Sequence, residues 1–123
     1  MHKKFFIYCF FVISTLKAQN KKFISLPPSQ TGLDFVNTVQ DSKSQNILLY
    51  ANFYGGGGVG LADFDNDGLT DIYFTGNLVG DEIYKNKGGL KFEKKTISAG
   101  ITNDGNWSSG VSIADVNGDG LLD

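Results

Sequence analysis

The sequence has 123 residues, of which 41% are hydrophobic and 20% charged, and its 13 acidic side chains outnumber 11 basic ones for a formal net charge of −2. All eleven basic residues are lysines, so there is no guanidinium fork for phosphates or base edges, and no basic patch marks a nucleic-acid partner. The single histidine, His2, and the single cysteine, Cys9, both fall within the first eighteen residues.

Those eighteen residues have the three parts of a secretory signal: Lys3 and Lys4, an apolar run from Phe5 to Leu16, and Ala18 at a cleavage point. The run is shorter than the roughly 20 residues a bilayer span needs, and Lys17, Gln19, Asn20, Lys21 and Lys22 end it abruptly. Export is expected, to the medium, the periplasm or the cell surface, with no membrane span after cleavage. Cys9 lacks the small residues before it that a lipoprotein site wants. Removal of residues 1–18 leaves neither histidine nor cysteine. That excludes disulfides, thiolate nucleophiles, imidazole acid–base catalysis and N/S-type zinc sites from the rest. The remaining eight lysines face thirteen acidic residues, a net charge of −5.

Residues 19–52 read as a polar lead-in. Pro27-Pro28 interrupts regular structure. Thr31-Gly32-Leu33-Asp34-Phe35-Val36 fits either a short strand or an extended leader packed on the first blade, and Ile47–Tyr50 has the same character. Beyond Asn52 strands are expected at residues 58–62, 71–75, 82–86 and 90–97, each rich in β-branched or aromatic side chains. Ile72 and Phe74 alternate with Tyr73 and Thr75, and Asn86-Lys87-Gly88-Gly89 supplies a turn. The run Gly55-Gly56-Gly57-Gly58 is followed by neither Gly-Lys-Ser/Thr nor a helix, so close backbone packing explains it better than a phosphate cradle. Asn106-Trp107-Ser108 matches a glycosylation sequon, a pattern too short to carry weight. Trp107 suits a core position or an exposed sugar-stacking one.

Two acidic loops share one design: Asp63-Phe64-Asp65-Asn66-Asp67-Gly68-Leu69-Thr70-Asp71 and Asp115-Val116-Asn117-Gly118-Asp119-Gly120-Leu121-Leu122-Asp123. Oxygen side chains at positions 1, 3, 5 and 9, a carbonyl at 7 and a glycine at 6 suit a hard cation that takes six to eight oxygens at about 2.3–2.6 Å. Without one the crowding is unfavourable, since two carboxylates about 5 Å apart repel by roughly 3 kcal/mol at an effective dielectric near 20. Gly58–Asp71 and Gly110–Asp123 agree at eight of fourteen positions with a constant offset of 52 residues. A period near 50 points to propeller blades.

The loops and their flanks resemble the FG-GAP, or VCBS, repeats of integrin-like β-propellers, whose hallmark is Asp-x-Asp-x-Asp-Gly-x-x-Asp. Asp63–Asp71 fits without exception, and Asp115–Asp123 fits with Asn117 for the second aspartate. Phe53–Asn77, Ile83–Gly88 with Phe92-Glu93, and the second loop look like the propeller part of the cartilage acidic protein and UnbV group of exported proteins. The Phe-Gly and Gly-Ala-Pro words of the repeat are absent, Phe53-Tyr54-Gly55 being the nearest remnant. The resemblance implies an all-β fold of propeller blades, with a first repeat at residues 53–104 and the start of a second at 105–123. A closed propeller has typically four to eight blades, so the chain is expected to be the N-terminal piece of a longer protein whose remaining blades complete it. It also implies two structural Ca²⁺, one held by Asp63, Asp65, Asp67, the Leu69 carbonyl and Asp71, the other by Asp115, Asn117, Asp119, Leu121 and Asp123.

Three other readings of the loops stay open on the sequence. An EF-hand wants Glu at position 12, where Phe74 stands, and helical flanks. A dockerin-like loop fits Asp115–Gly120 but fails at the same position in the first copy. A solvated acidic turn without metal explains one loop more easily than two in register. Residues 19–123 supply no catalytic pair, which favours a non-enzymatic module that binds an extracellular protein or glycan. The alternative is the accessory propeller of an extracellular enzyme, such as one acting on polysaccharide.

Overall fold

The computed structural model describes residues 23–102 and 105–123, so the expected signal segment lies outside the described residues. Four strands follow one another in the chain: β1 (Val59–Ala62), β2 (Asp71–Phe74), β3 (Glu82–Asn86) and β4 (Phe92–Lys94). They form one antiparallel sheet in the order β1-β2-β3-β4. An all-antiparallel four-stranded meander is the architecture of a propeller blade. All four expected strands are present. The fourth is shorter than expected, because after Lys94 the backbone coils into a turn in which Ala99 N–H donates to Lys95 O at 2.8 Å and Ile101 N–H to Thr96 O at 3.1 Å.

The turn between β3 and β4 falls where Asn86-Lys87-Gly88-Gly89 places it. Gly88, Gly89 and Leu90 all take positive φ, at 78°, 60° and 60°, a conformation that glycine adopts without the steric penalty other residues meet. Lys87 N–H closes the hairpin onto Lys91 O at 2.8 Å.

No strand forms in the lead-in among the described residues. A four-residue helix, α1 (Pro28–Thr31), takes its place, with a proline in its first turn and Gly32 at φ 81° closing it. Proline breaks a helix in its interior but is pre-set for the first turn, where its missing N–H has no partner to lose. From Leu33 to Gln40 exposure alternates strictly from residue to residue, without a strand. Phe35 stacks on Phe74 with ring centroids 4.9 Å apart and planes 10° apart. Asn37 and Asn77 exchange two hydrogen bonds of 2.8 Å. In the described residues the leader packs on the sheet through Phe35 and Asn37.

That packing explains why β2 does not alternate cleanly. Ile72, Tyr73 and Phe74 are all half-buried, since the leader covers part of one face. In β1 the small residues Gly60 and Ala62 are buried while Val59 and Leu61 are exposed. The apolar core is small, built on Phe53, Ala62 and Tyr84. Trp107 is half-buried and lies 5.4 Å from Phe53 and 5.0 Å from Tyr50, centroid to centroid. The core reading of Trp107 is the closer one.

Residues 110–114 run past β1. A Cβ placed on Gly58 would lie 2.9 Å from Gly110 Cα, and one on Gly60 would lie 2.9 Å from Ile113 Cδ1. At Gly57 it would meet Thr75 O at 2.0 Å. Close backbone approach therefore accounts for Gly57 and Gly58. Gly56 has open space around it and a φ of 80° instead.

Candidate metal centre

The first acidic loop is the connection between β1 and β2, closed at its base by the pair Ala62 and Asp71. Two residues in the left-handed region, Asn66 at φ 55° and Gly68 at φ 84°, fold it back on itself. Backbone amides then turn inward onto carboxylates. Asp63 accepts from Asp67 N–H at 3.0 Å and Gly68 N–H at 2.8 Å, and Asp67 accepts from Leu69 N–H at 2.9 Å. Asp71, 2% exposed, accepts from Phe64 N–H at 3.2 Å and from Asn86 N–H at 2.7 Å.

This frame brings carboxylate oxygens of Asp63, Asp65 and Asp71 within 4.8 Å of one another. Oxygens that share one hard cation at 2.3–2.6 Å lie no more than about 4.6–5.2 Å apart, so the three carboxylates are close enough together to hold a metal ion. Asp67 stays outside the cluster, its Oδ2 lying 3.0 Å from Lys85 Nζ. Lys85 Nζ also contacts Asp65 Oδ2. The hydrogen bonds from Lys85, and then from Leu69 N–H, hold the Asp67 carboxyl below the usual carboxylate range. Asp65 first and Asp67 second push the Lys85 ammonium above its ordinary range.

The second loop repeats the frame at a constant offset of 52 residues. Asp115 accepts from Asp119 N–H at 3.1 Å and Gly120 N–H at 2.8 Å, Asp119 from Leu121 N–H at 2.8 Å, and Asp123 from Val116 N–H at 3.2 Å. Gly118 and Gly120 take the left-handed conformation at the positions of Asn66 and Gly68. Ala114 and Asp123 exchange backbone hydrogen bonds of 3.0 and 3.2 Å, at the place where the pair Ala62 and Asp71 closes the first loop. The Gly120 amide, first among several backbone donors, keeps the Asp115 carboxyl below its ordinary range.

The sequence from the first loop onward matches the model of the FG-GAP-like repeat family. The match covers residues 63–123, which are thus similar to an FG-GAP-like repeat. Comparison with curated proteins and with solved structures returned no match. The four-stranded antiparallel sheet is consistent with an FG-GAP propeller blade. Within this segment only the first loop gathers three carboxylates among the described residues. Asn117 supplies an amide where Asp65 has a carboxylate, and its Nδ2 donates to Asp119 Oδ2 at 3.0 Å.

Two residues with a part in the first loop, Lys85 and Asn86, were not assigned to it from the sequence. Asn86 donates its N–H to Asp71 and its Nδ2–H to Thr70 O at 2.8 Å. Both sit on β3. The register Ile72 opposite Tyr84 carries them past the mouth of the loop, so a hairpin alignment of β2 with β3 would have found them.

Proposed function

We propose that this chain is an exported, calcium-binding FG-GAP propeller repeat protein that acts as a non-catalytic binding, adhesion or scaffold module, with Ca²⁺ as structure. The observation that carries the reading is the duplicated frame of inward amides, with three carboxylates of one copy converging to within 4.8 Å. Its donors are oxygens only, as a hard cation prefers. Bound there, the ion neutralises the carboxylates and cross-links β1 to β2. The residues proposed to hold it are Asp63, Asp65, Asp67, the Leu69 carbonyl and Asp71, and the second site uses Asp115, Asn117, Asp119, Leu121 and Asp123.

The closer likeness to the cartilage acidic protein and UnbV group belongs to this proposal, resting on residues 53–77 and 83–93. Export rests on the signal-like residues 1–18. The partner is an extracellular protein or glycan that meets the propeller away from the metals, and no nucleic acid. The lack of histidine and cysteine beyond residue 18 supports a non-enzymatic role.

Thermal unfolding of the full-length protein tests the metal. With a dissociation constant near 10⁻⁴–10⁻³ M, about 10 mM Ca²⁺ should stabilise each site by about 1.4–2.7 kcal/mol over chelator. Mg²⁺ should do much less. Identical melting in calcium and in chelator would overturn the reading.

A further inference from the structure

Lys85 belongs to β3, not to the acidic loop, yet its ammonium bridges the loop's third and fifth positions, Asp65 and Asp67. The contact is partly sheltered, with the Lys85 side chain 26% exposed. Among the described residues no lysine pairs with Asp115, Asp119 or Asp123. The two loops thus share a backbone frame and differ in their counter-charge. The first carries a monovalent cation of its own.

We propose that Lys85 is a built-in competitor for the divalent ion at the Asp63–Asp71 loop, neutralising Asp65 and Asp67 when metal is absent and yielding them when metal arrives. This rests on the metal reading above and adds to it the regulation of one site. Calcium needs oxygens of the same two carboxylates at about 2.3–2.6 Å. An ammonium within hydrogen-bond reach of those oxygens would then stand a few ångströms from a doubly charged ion, and like charges at that distance repel strongly. Uptake at this loop is therefore an exchange. A hollow of about 500 Å³ beside the site, bordered by Asp65, Asp71, Lys85 itself and also by Lys87 and Lys95, is open space next to the Lys85 side chain. The exchange keeps the first loop ordered without metal and weakens its affinity. The second loop has no such competitor among the described residues.

The test compares Lys85→Met, which keeps the apolar stem, and Lys85→Arg, which keeps the charge, with the parent. Calcium titration calorimetry is run on full-length protein carrying Asp119→Ala, so that the first loop reports alone. Losing two partly exposed ion-pair contacts corresponds to about tenfold. Lys85→Met should bind Ca²⁺ about tenfold more tightly and melt lower in chelator, while Lys85→Arg stays near the parent on both readouts. Equal or weaker binding by Lys85→Met would overturn the competitor role and leave the metal site standing. Absence of heat in both proteins would overturn the metal reading and this inference together.

Discussion

Asp71→Ala separates what the carboxylate does for the backbone from what it does for a cation. In the native chain Asp71 is 2% exposed and accepts Phe64 N–H at 3.2 Å and Asn86 N–H at 2.7 Å. A buried donor left without a partner costs about 1–3 kcal/mol. Two such donors, one of them on a long bond, give a loss of about 2–4 kcal/mol with no metal present. In about 10 mM Ca²⁺ the parent should gain a further 1.4–2.7 kcal/mol from the first site, and the variant should gain almost none of it. Asp71→Asn keeps one acceptor and should fall between the two in chelator. Equilibrium urea unfolding of the full-length proteins, in chelator and in calcium, reads both parts. Parent-like stability of Asp71→Ala in chelator would refute the backbone role, and an unchanged calcium increment would refute the ligand role.

Asp67→Ala should lower the melting temperature in calcium more than Thr70→Ala, because the proposed ligand set takes in the Asp67 carboxylate whereas Thr70 contributes its main-chain carbonyl to Asn86; equal melting would contradict the ligand set. Gly58→Ala should destabilise by about 1–3 kcal/mol, since the added Cβ meets Gly110 Cα at 2.9 Å and backbone cannot move aside as a side chain can, and denaturant unfolding measures it. Tyr84→Phe acts on acid stability. The Tyr84 hydroxyl, followed by Lys94, holds the Asp34 carboxyl below its ordinary range. A depressed carboxyl contributes stability that is present above its unfolded value, near 3.9, and lost as pH falls through the folded value. The parent should therefore lose stability below about pH 4 more steeply than Tyr84→Phe, as unfolding midpoints across that range would show.

The strands and the loops were legible because their signals are local. Glycine at position 6 and oxygen side chains at alternate positions describe a loop that binds its own amides, and Asp63, Asp67 and Asp71 do so in the structure. Strand positions were readable from β-branched and aromatic runs, as at Asp71–Phe74 and Glu82–Asn86. What stayed hidden depends on contacts between distant residues. The leader's packing on the sheet is made by Phe35 against Phe74 and Asn37 against Asn77. Lys85 reaches Asp65 across twenty positions, through the sheet register rather than through the loop. Tyr84, fully buried, places its hydroxyl between Asp34 and Glu82, a grouping that no sequence window contains. The strand expected at 90–97 was misjudged at both ends, because Leu90 belongs to the preceding turn at φ 60° and the chain from Lys95 folds into a turn closed by its own backbone.

The proposed binding of calcium by these loops is tested most directly by a crystal structure of the full-length protein grown with Ca²⁺, with anomalous scattering used to locate the ion. A peak is expected about 2.3–2.6 Å from oxygens of Asp63, Asp65, Asp67 and Asp71 and the Leu69 carbonyl, with a second at the Asp115–Asp123 loop and Lys85 withdrawn from Asp65 and Asp67. Loops without a peak at millimolar calcium, with Lys85 still seated on Asp65 and Asp67, would contradict it.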